Sequence, residues 1–223
     1  MTSGISFRQM PLVWGDKKGQ QETMARSLVI IGAGMHGRAV AEAAELSGHW
    51  QEILFVDDRW PALQETAGRK VVSNLAGLSG LSGLSGLSGL AADQAQAIAA
   101  VGNNALRAGW VKAIEAAGLP LATVIHPAAC VSPSATIEAG TAILAMAMVG
   151  ASAHIGTGSI LNAHSTADHD THLENYAHLG TGVHLAGGVR VGAGAWLQAG
   201  CCAGYGVVVP PDTVYPPGTA LSH

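Results

Sequence analysis

From Ile125 onward, every sixth residue of the chain is aliphatic. The series runs Ile125, Val131, Ile137, Ile143, Val149, Ile155, Leu161, Ala167, Leu173, Leu179, Leu185, Val191, Leu197, Ala203 and Val209, fifteen positions without a break. Four residues after each comes a second series, from Ala129 through Thr141, Ala153, Ser165, Ala177, Val189 and Cys201 to Thr213, whose members are all small or β-branched. Strands repeat every two residues and helices every 3.6, so neither accounts for a period of six. A short strand plus a corner does. Three hexads then close one triangular coil, with the aliphatic side chain inside the prism and the small one at the tight approach to the corner. The pattern predicts a left-handed parallel β-helix of five coils, roughly 24 Å tall at about 4.8 Å per coil.

Ahead of the repeat the pattern changes. Leu28, Val29, Ile30 and Ile31 form a short apolar run, followed by G-A-G-M-H-G at Gly32–Gly37 and an Ala-rich helical stretch from about Arg38 to Leu46. Strand, glycine turn and helix together make a phosphate-cradling arrangement, in which glycines admit the backbone to the phosphate and the helix N-terminus supplies N–H donors. A second strand, Ile53 to Val56, ends at Asp57 and Asp58, where an acid suits a ribose or base contact. A third, Gln96 to Val101, leads into G-N-N-A-L-R and a helix from about Ala105 to Ala117, stopped by Gly118, Leu119 and Pro120. This reads as a small Rossmann-like nucleotide-binding domain. It is about half a dinucleotide fold, so a mononucleotide suits it better. The tandem L-S-G tract from Leu75 to Leu90 matches neither a helix nor a strand and is expected to be a surface loop. The expected division is a flexible extension over residues 1–26, the nucleotide-binding domain over 27–120 and the β-helix over 121–223.

Composition agrees with a folded protein: of 223 residues, 48% are hydrophobic and 12% charged. Thirty glycines and only 4% aromatics suit a narrow repetitive core. A net charge of -4 gives no electrostatic case for nucleic acid. Cys130, Cys201 and Cys202 make no disulfide framework, which points to a reducing, cytoplasmic compartment. No apolar run is long enough for a membrane span, and residues 1–23 lack the apolar core of a secretory signal.

Candidate chemistry lies in the histidines, ten in all. His154, His172, His178 and His184 hold the sixth place of the hexad, expected at the corners. His154 and His172 are one coil apart, with Arg190 next, and read as a solvated or subunit-facing stripe. His169 differs, because it lies in A-D-H-D between Asp168 and Asp170, and a carboxylate beside an imidazole holds its tautomer and raises its basicity. Asn162, seven residues earlier, has an offset expected to bring its amide to the same groove. His164 and His169 have a spacing that suits two zinc ligands of a γ-type carbonic anhydrase. The third ligand is missing, since Ala151 and Pro133 stand one and two coils before His169, and no metal is expected.

The combination of G-A-G-M-H-G, F-V-D-D, V-G-N-N-A-L-R, I-H-P, I-L-N-x-x-S-x-x-D-H-D and H-L-G-T-G-x-x-L-A-G-G-V-x-V-G resembles the hexapeptide-repeat nucleotide-sugar acetyltransferases, those of bacillosamine- and perosamine-type amino sugars, and beside them the sialic-acid O-acetyltransferases. The resemblance covers residues 27 to about 200. It implies acetyl-CoA-dependent N-acetylation of a 4-amino-4,6-dideoxy sugar carried on UDP or GDP, with O-acetylation of a sialic-acid-like sugar and a non-catalytic nucleotide-sugar scaffold as alternatives. It also implies a homotrimer with each active site between two β-helices. Residue by residue, it makes His169, with Asp170, the general base and gives Asn162 a positioning role. It places Gly32, Gly34, His36 and Gly37 at the phosphates and Asp57 and Asp58 at the base or ribose, and puts His178, Gly187 and Gly188 along the acetyl-CoA groove. After Ala199 the family's usual run of further coils and its closing tail are missing, and with them the part that normally builds the groove for the adenine end of CoA.

Overall fold

A computed structural model describes residues 27–78 and 95–222. The expected N-terminal extension and most of the L-S-G tract lie outside the described residues; of that tract, Leu75–Gly77 forms a 3-10 turn capped by the Asn74 side chain. The front of the chain builds strands β1 (Ser27–Ile31), β2 (Glu52–Val56), β3 (Glu65–Thr66), β4 (Arg69–Ser73) and β5 (Ala95–Ala99), with helices α1 (Met35–Ser47) and α2 (Asn104–Ala116). The sheet order is β3-β4-β2-β1-β5, parallel except for the β3–β4 pair. All five residues of β1 are buried, as a central parallel strand covered on both faces requires. Leu28 and Ile30 pack with Val40, Ala41 and Ala44 of α1, while Val29 and Ile31 pack with Val111 and Ile114 of α2.

The glycine motif is half loop and half helix. α1 begins at Met35, three residues before the expected start, so His36 and Gly37 belong to its first turn. Gly37 is glycine for packing: a Cβ there would stand 1.9 Å from the Gly32 carbonyl oxygen. The N-cap is Gly34, which offers no side-chain cap, so the first N–H groups of α1 have no capping side chain.

From Val124–Ile125 to Ala220–Leu221 the chain lays down seventeen two-residue strands, one every six residues, in three parallel sheets. Each strand pairs with the one eighteen residues on, as His154–Ile155 does with His172–Leu173. This is the left-handed β-helix. The aliphatic series fills its interior, with Ile143, Ile155, Leu161, Leu173, Leu179, Val191 and Leu197 each 0% exposed. Hydrogen bonds between coils satisfy the backbone, for example Cys130 N–H to the Ala147 carbonyl at 2.8 Å. Every corner from Gly140 to Gly218 carries a residue with positive φ, and six of these fourteen are not glycine: Met146, Ser152, His164, Asp170, Tyr176 and Asp212.

Two expectations are corrected. His154, His172, His178 and His184 are the first residues of their strands, with outward side chains on flat faces, and the turns fall two and three residues after each aliphatic position. Further coils are also not missing after Ala199, as the six-residue series to Val209 already indicates. Strands follow at Cys202–Ala203, Val208–Val209, Val214–Tyr215 and Ala220–Leu221, because Tyr215 and Leu221 keep the six-residue period even though the family's closing motif is absent. The first coil is stitched to the α/β sheet: Ala122 N–H donates to the Ala97 carbonyl at 2.8 Å, and Val124, Ala142 and Leu144 share a core with Leu28, Ile30 and Val40.

Candidate active site

The strand order reverses at β1, whose neighbours are β2 and β5. A crevice outside the carboxyl ends of such strands is where open α/β sheets bind ligands. Here it is a groove of about 610 Å³, bounded by Gly32, Gly34 and His36 after β1, by Val101 and Gly102 after β5, and by Asn162 and His178 from the prism. Burial, and then the nearby Arg107, push the His36 pKa down to about 4, so its ring is neutral. His36 Nε2 is buried with no hydrogen-bond partner among the described residues. A polar atom in that state costs about 1–3 kcal/mol until something meets it.

Asp57 and Asp58 sit at the end of β2 as expected, and both carboxylates are already engaged by the protein. Asp57 accepts from Ala33 N–H at 2.8 Å and from the Arg59 guanidinium at 2.7 and 2.9 Å. Asp58 accepts from Leu75 N–H at 3.0 Å. The Arg59 hydrogen bond is the main reason the Asp57 pKa falls to about 2. Asp57 therefore ties the glycine turn to Arg59, and Arg59 presents an exposed cation at the rim of the groove.

His169 lies elsewhere. It occupies the corner after Thr166–Ala167, whereas Asn162 occupies the preceding corner, after Ile160–Leu161. The structure does not bring the two together within one chain, because an offset of seven residues carries the chain along one whole prism face. His164 sits at the Asn162 corner and is likewise a face away from His169. At its own corner His169 is well supported. Its Nδ1 is 2.8 Å from Asp170 Oδ2, and its backbone N–H donates to Asp168 Oδ1 at 2.7 Å. Asp170 holds φ +57, the left-handed corner conformation that aspartate tolerates. The hydrogen bond to Asp170 raises the His169 pKa above the ordinary 6.5, burial opposes it, and the Asp168 and Asp170 charges add to the rise. The ring lies across Gly187 of the next coil, where a Cβ would come within 2.4 Å of it. Tyr205, one coil further, faces it with ring centroids 6.4 Å apart. Gly187 and Gly188 thus form a notch beside His169, while His178 belongs to the groove at the sheet edge, stacked 5.1 Å from Trp196.

Comparison with known proteins adds to this geometry. The PglD N-terminal domain family matches residues 27–114. The acetyltransferase domain of PglB from Neisseria gonorrhoeae is 34% identical, with 88% of this chain and 91% of that one covered and a TM-score of 0.81. The chain belongs to the hexapeptide-repeat nucleotide-sugar N-acetyltransferases. A variant of perosamine N-acetyltransferase from Caulobacter crescentus, solved with CoA and GDP-perosamine, is 31% identical over 88% of each chain, with a TM-score of 0.78. WeeI from Acinetobacter baumannii, at 18% identity and a TM-score of 0.65, shares the fold. Comparison with curated protein sequences returns no match.

As an acyltransferase of this family, the chain carries three groups at the groove that the sequence did not single out as site residues. Arg59 follows the acids in D-D-R and shows its place only through its pairing with Asp57. Trp110 puts its indole against Gly32, 2.9 Å from where a Cβ would stand. Arg107 is buried beneath the groove. The last two reach the site from α2; Arg107 closes the V-G-N-N-A-L-R motif, for which the sequence implied no site role, and no local motif marks Trp110.

Proposed function

We propose that this acetyltransferase transfers the acetyl group of acetyl-CoA to the amine of a 4-amino-4,6-dideoxy sugar carried on UDP or GDP, in the cytoplasm, as a homotrimer. Residues 27–120 hold the nucleotide sugar, and residues 121–223 carry the transfer chemistry. One observation carries the reading: a single groove is lined both by the N-terminal turn of α1 and by the prism residues Asn162 and His178. A diphosphate at the helix N-terminus and Arg59 leaves the sugar directed along the prism. His169 stands one face away in the same chain, so the base for each groove comes from a neighbouring copy. Three copies around an axis satisfy that requirement with closed symmetry.

At the reacting centre, the Asp170 carboxylate accepts a hydrogen bond from Nδ1–H, which keeps the proton on Nδ1 and leaves His169 Nε2 as the base. The sugar amine attacks the thioester carbonyl, its N–H proton passes to Nε2, and the carbon–nitrogen bond forms. The Gly187 amide, next to the ring, supplies a donor for the oxyanion. Collapse expels the CoA thiolate, which takes the proton from the imidazolium. The similar structures support the donor and the acceptor class: a PglB acetyltransferase domain, 33% identical, is solved with acetyl coenzyme A, and the perosamine enzyme with GDP-perosamine. The test is thiol release from acetyl-CoA with a panel of UDP- and GDP-linked amino and hydroxy sugars. Transfer to hydroxy sugars alone would replace the N-acetylation reading with O-acetylation.

Two substitutions probe the two halves. Asp57→Ala frees the glycine turn and Arg59 together, and the KM for the nucleotide sugar is expected to rise by about tenfold, with the KM for acetyl-CoA nearly unchanged. A change confined to acetyl-CoA would put the nucleotide in the wrong groove. Gly187→Ala leaves the backbone conformation accessible but forces the His169 ring aside. A loss of about 10- to 100-fold in kcat is expected, with the melting temperature nearly unchanged. Full kcat in Gly187→Ala would remove the notch from the mechanism.

A further inference from the structure

Arg107 is 1% exposed, and among the described residues no carboxylate pairs with it. A buried cation is costly unless its donors are all satisfied, and here five oxygens satisfy them. Nε donates to the Gly158 carbonyl at 2.7 Å, Nη1 to Val101 and Gly102 carbonyls at 3.0 and 3.4 Å, and Nη2 to Asn104 Oδ1 at 2.8 Å and the Tyr176 carbonyl at 2.7 Å. Asn104 in turn donates from Nδ2 to the Gly194 carbonyl at 2.7 Å. Gly158, Tyr176 and Gly194 are the left-handed corner residues of three successive coils. One guanidinium and one amide therefore clamp the loop after β5 to a column of prism corners.

That loop also holds His178. Gly102 offers its carbonyl 3.1 Å from His178 Nδ1, and a carbonyl only accepts, so Nδ1 carries the proton. Burial foremost, then the Arg107 charge, push the ring's pKa down to about 3, which leaves it neutral with Nε2 as an acceptor. We infer that Arg107 is a positioning residue: by fixing the Val101–Gly102 loop against the prism, it sets the tautomer and orientation of His178 and thereby the groove's preference for a hydrogen-bond donor at that point. A phosphate oxygen offers no donor at neutral pH, whereas a sugar hydroxyl or amine does. His178 thus marks the carbohydrate end of the groove and rejects the diphosphate there. This last step rests on the nucleotide-sugar reading above.

The experiment uses the full chain with ¹⁵N-labelled histidine, His178 being assigned by comparison with His178→Gln. The wild type is expected to show a pyrrole-like Nδ1 and a pyridine-like Nε2. Arg107→Lys keeps the charge but loses the fork, so the two nitrogens should move toward averaged shifts. In the same variant the KM for the nucleotide sugar should rise about tenfold, the KM for acetyl-CoA should stay within about twofold, and the pH inflection set by His169 should not move. A merely structural role would lower the melting temperature and leave the tautomer and the KM split alone. Should Arg107→Lys fail to fold, Asn104→Ala removes one acceptor and the grip on Gly194 and should act in the same direction, more mildly. A folded variant with wild-type shifts and wild-type KM would overturn the inference, and averaged shifts with an unchanged KM would overturn the link to substrate. If the wild type acetylates no nucleotide sugar, the proposed function fails and the spectra still decide the role of Arg107.

Discussion

Replacing His169 by alanine is expected to lower kcat by about 10²–10⁴-fold and to leave both KM values within a few-fold, because the lost interaction is made mainly in the transition state. The sign of the pH dependence follows from the same proton. A base must be neutral to accept, so activity is lost as pH falls through the His169 pKa and levels off above it. Because the hydrogen bond to Asp170 raises that pKa, the inflection of kcat should lie above 6.5. Asp170→Asn removes that hydrogen-bonded charge, so the inflection should move to lower pH while the plateau drops. His154→Ala and His172→Ala should do far less. Those rings stack on each other 4.6 Å apart on an outer face, with His154 against Glu138 at 3.1 Å. Near-normal kcat in His169→Ala would end the assignment of the base, and kcat against pH is the measurement that decides the Asp170 arm.

Co-expression of two inactive chains should restore activity from near zero. One chain carries His169→Ala and an intact groove. The other carries an intact His169 and a ruined groove, for which Gly37→Val serves, since any Cβ at Gly37 collides with the Gly32 carbonyl. In a symmetric trimer with each site shared between two copies, random mixing gives a good groove in half the chains and a good base in half of their neighbours. About one quarter of the sites should then work. Each variant alone should be inactive. Mixed trimers with no activity, isolated with two different affinity tags, would show that base and groove come from the same chain. A fully active monomer at micromolar concentration by light scattering would do so as well.

Several features of the site were legible before any coordinates. A-D-H-D is informative because neighbouring residues at a corner remain neighbours in space, so the His169–Asp170 pair follows from adjacency. The glycine motif is informative for the same reason, since strand, turn and helix are consecutive. Placements across a distance were not legible. The sequence assigns Asn162 and His169 to one groove, and His178 and Gly187 to another, without saying which copy supplies each. The prism instead sets Asn162 and His169 on successive corners and turns His178 toward the α/β sheet. A linear offset does not say on which corner a residue lands until the phase of the turn is known, and the turn falls two residues after the aliphatic position.

Arg59 and Arg107 make the same point from the other side. Neither has a role that its sequence neighbours state. Arg59 matters through the neighbouring Asp57, which ties it to the glycine turn across the sheet, and Arg107 through acceptors far along the chain, Gly158 and Tyr176.

By itself the sequence determined the prism, because a six-residue period with aliphatic and small positions in fixed phase is satisfied by few backbones, and each rung repeats the same local choice. It also determined the strand, glycine turn and helix of the front, where the motif is contiguous. Only the tertiary structure decided that the groove and His169 stand on different corners of one chain. That separation comes from how the α/β sheet docks on the first coils, through the shared core of Leu28, Ile30, Val124, Ala142 and Leu144 and through the buried Arg107. Docking is a balance of many weak long-range contacts, and no single stretch of sequence encodes it.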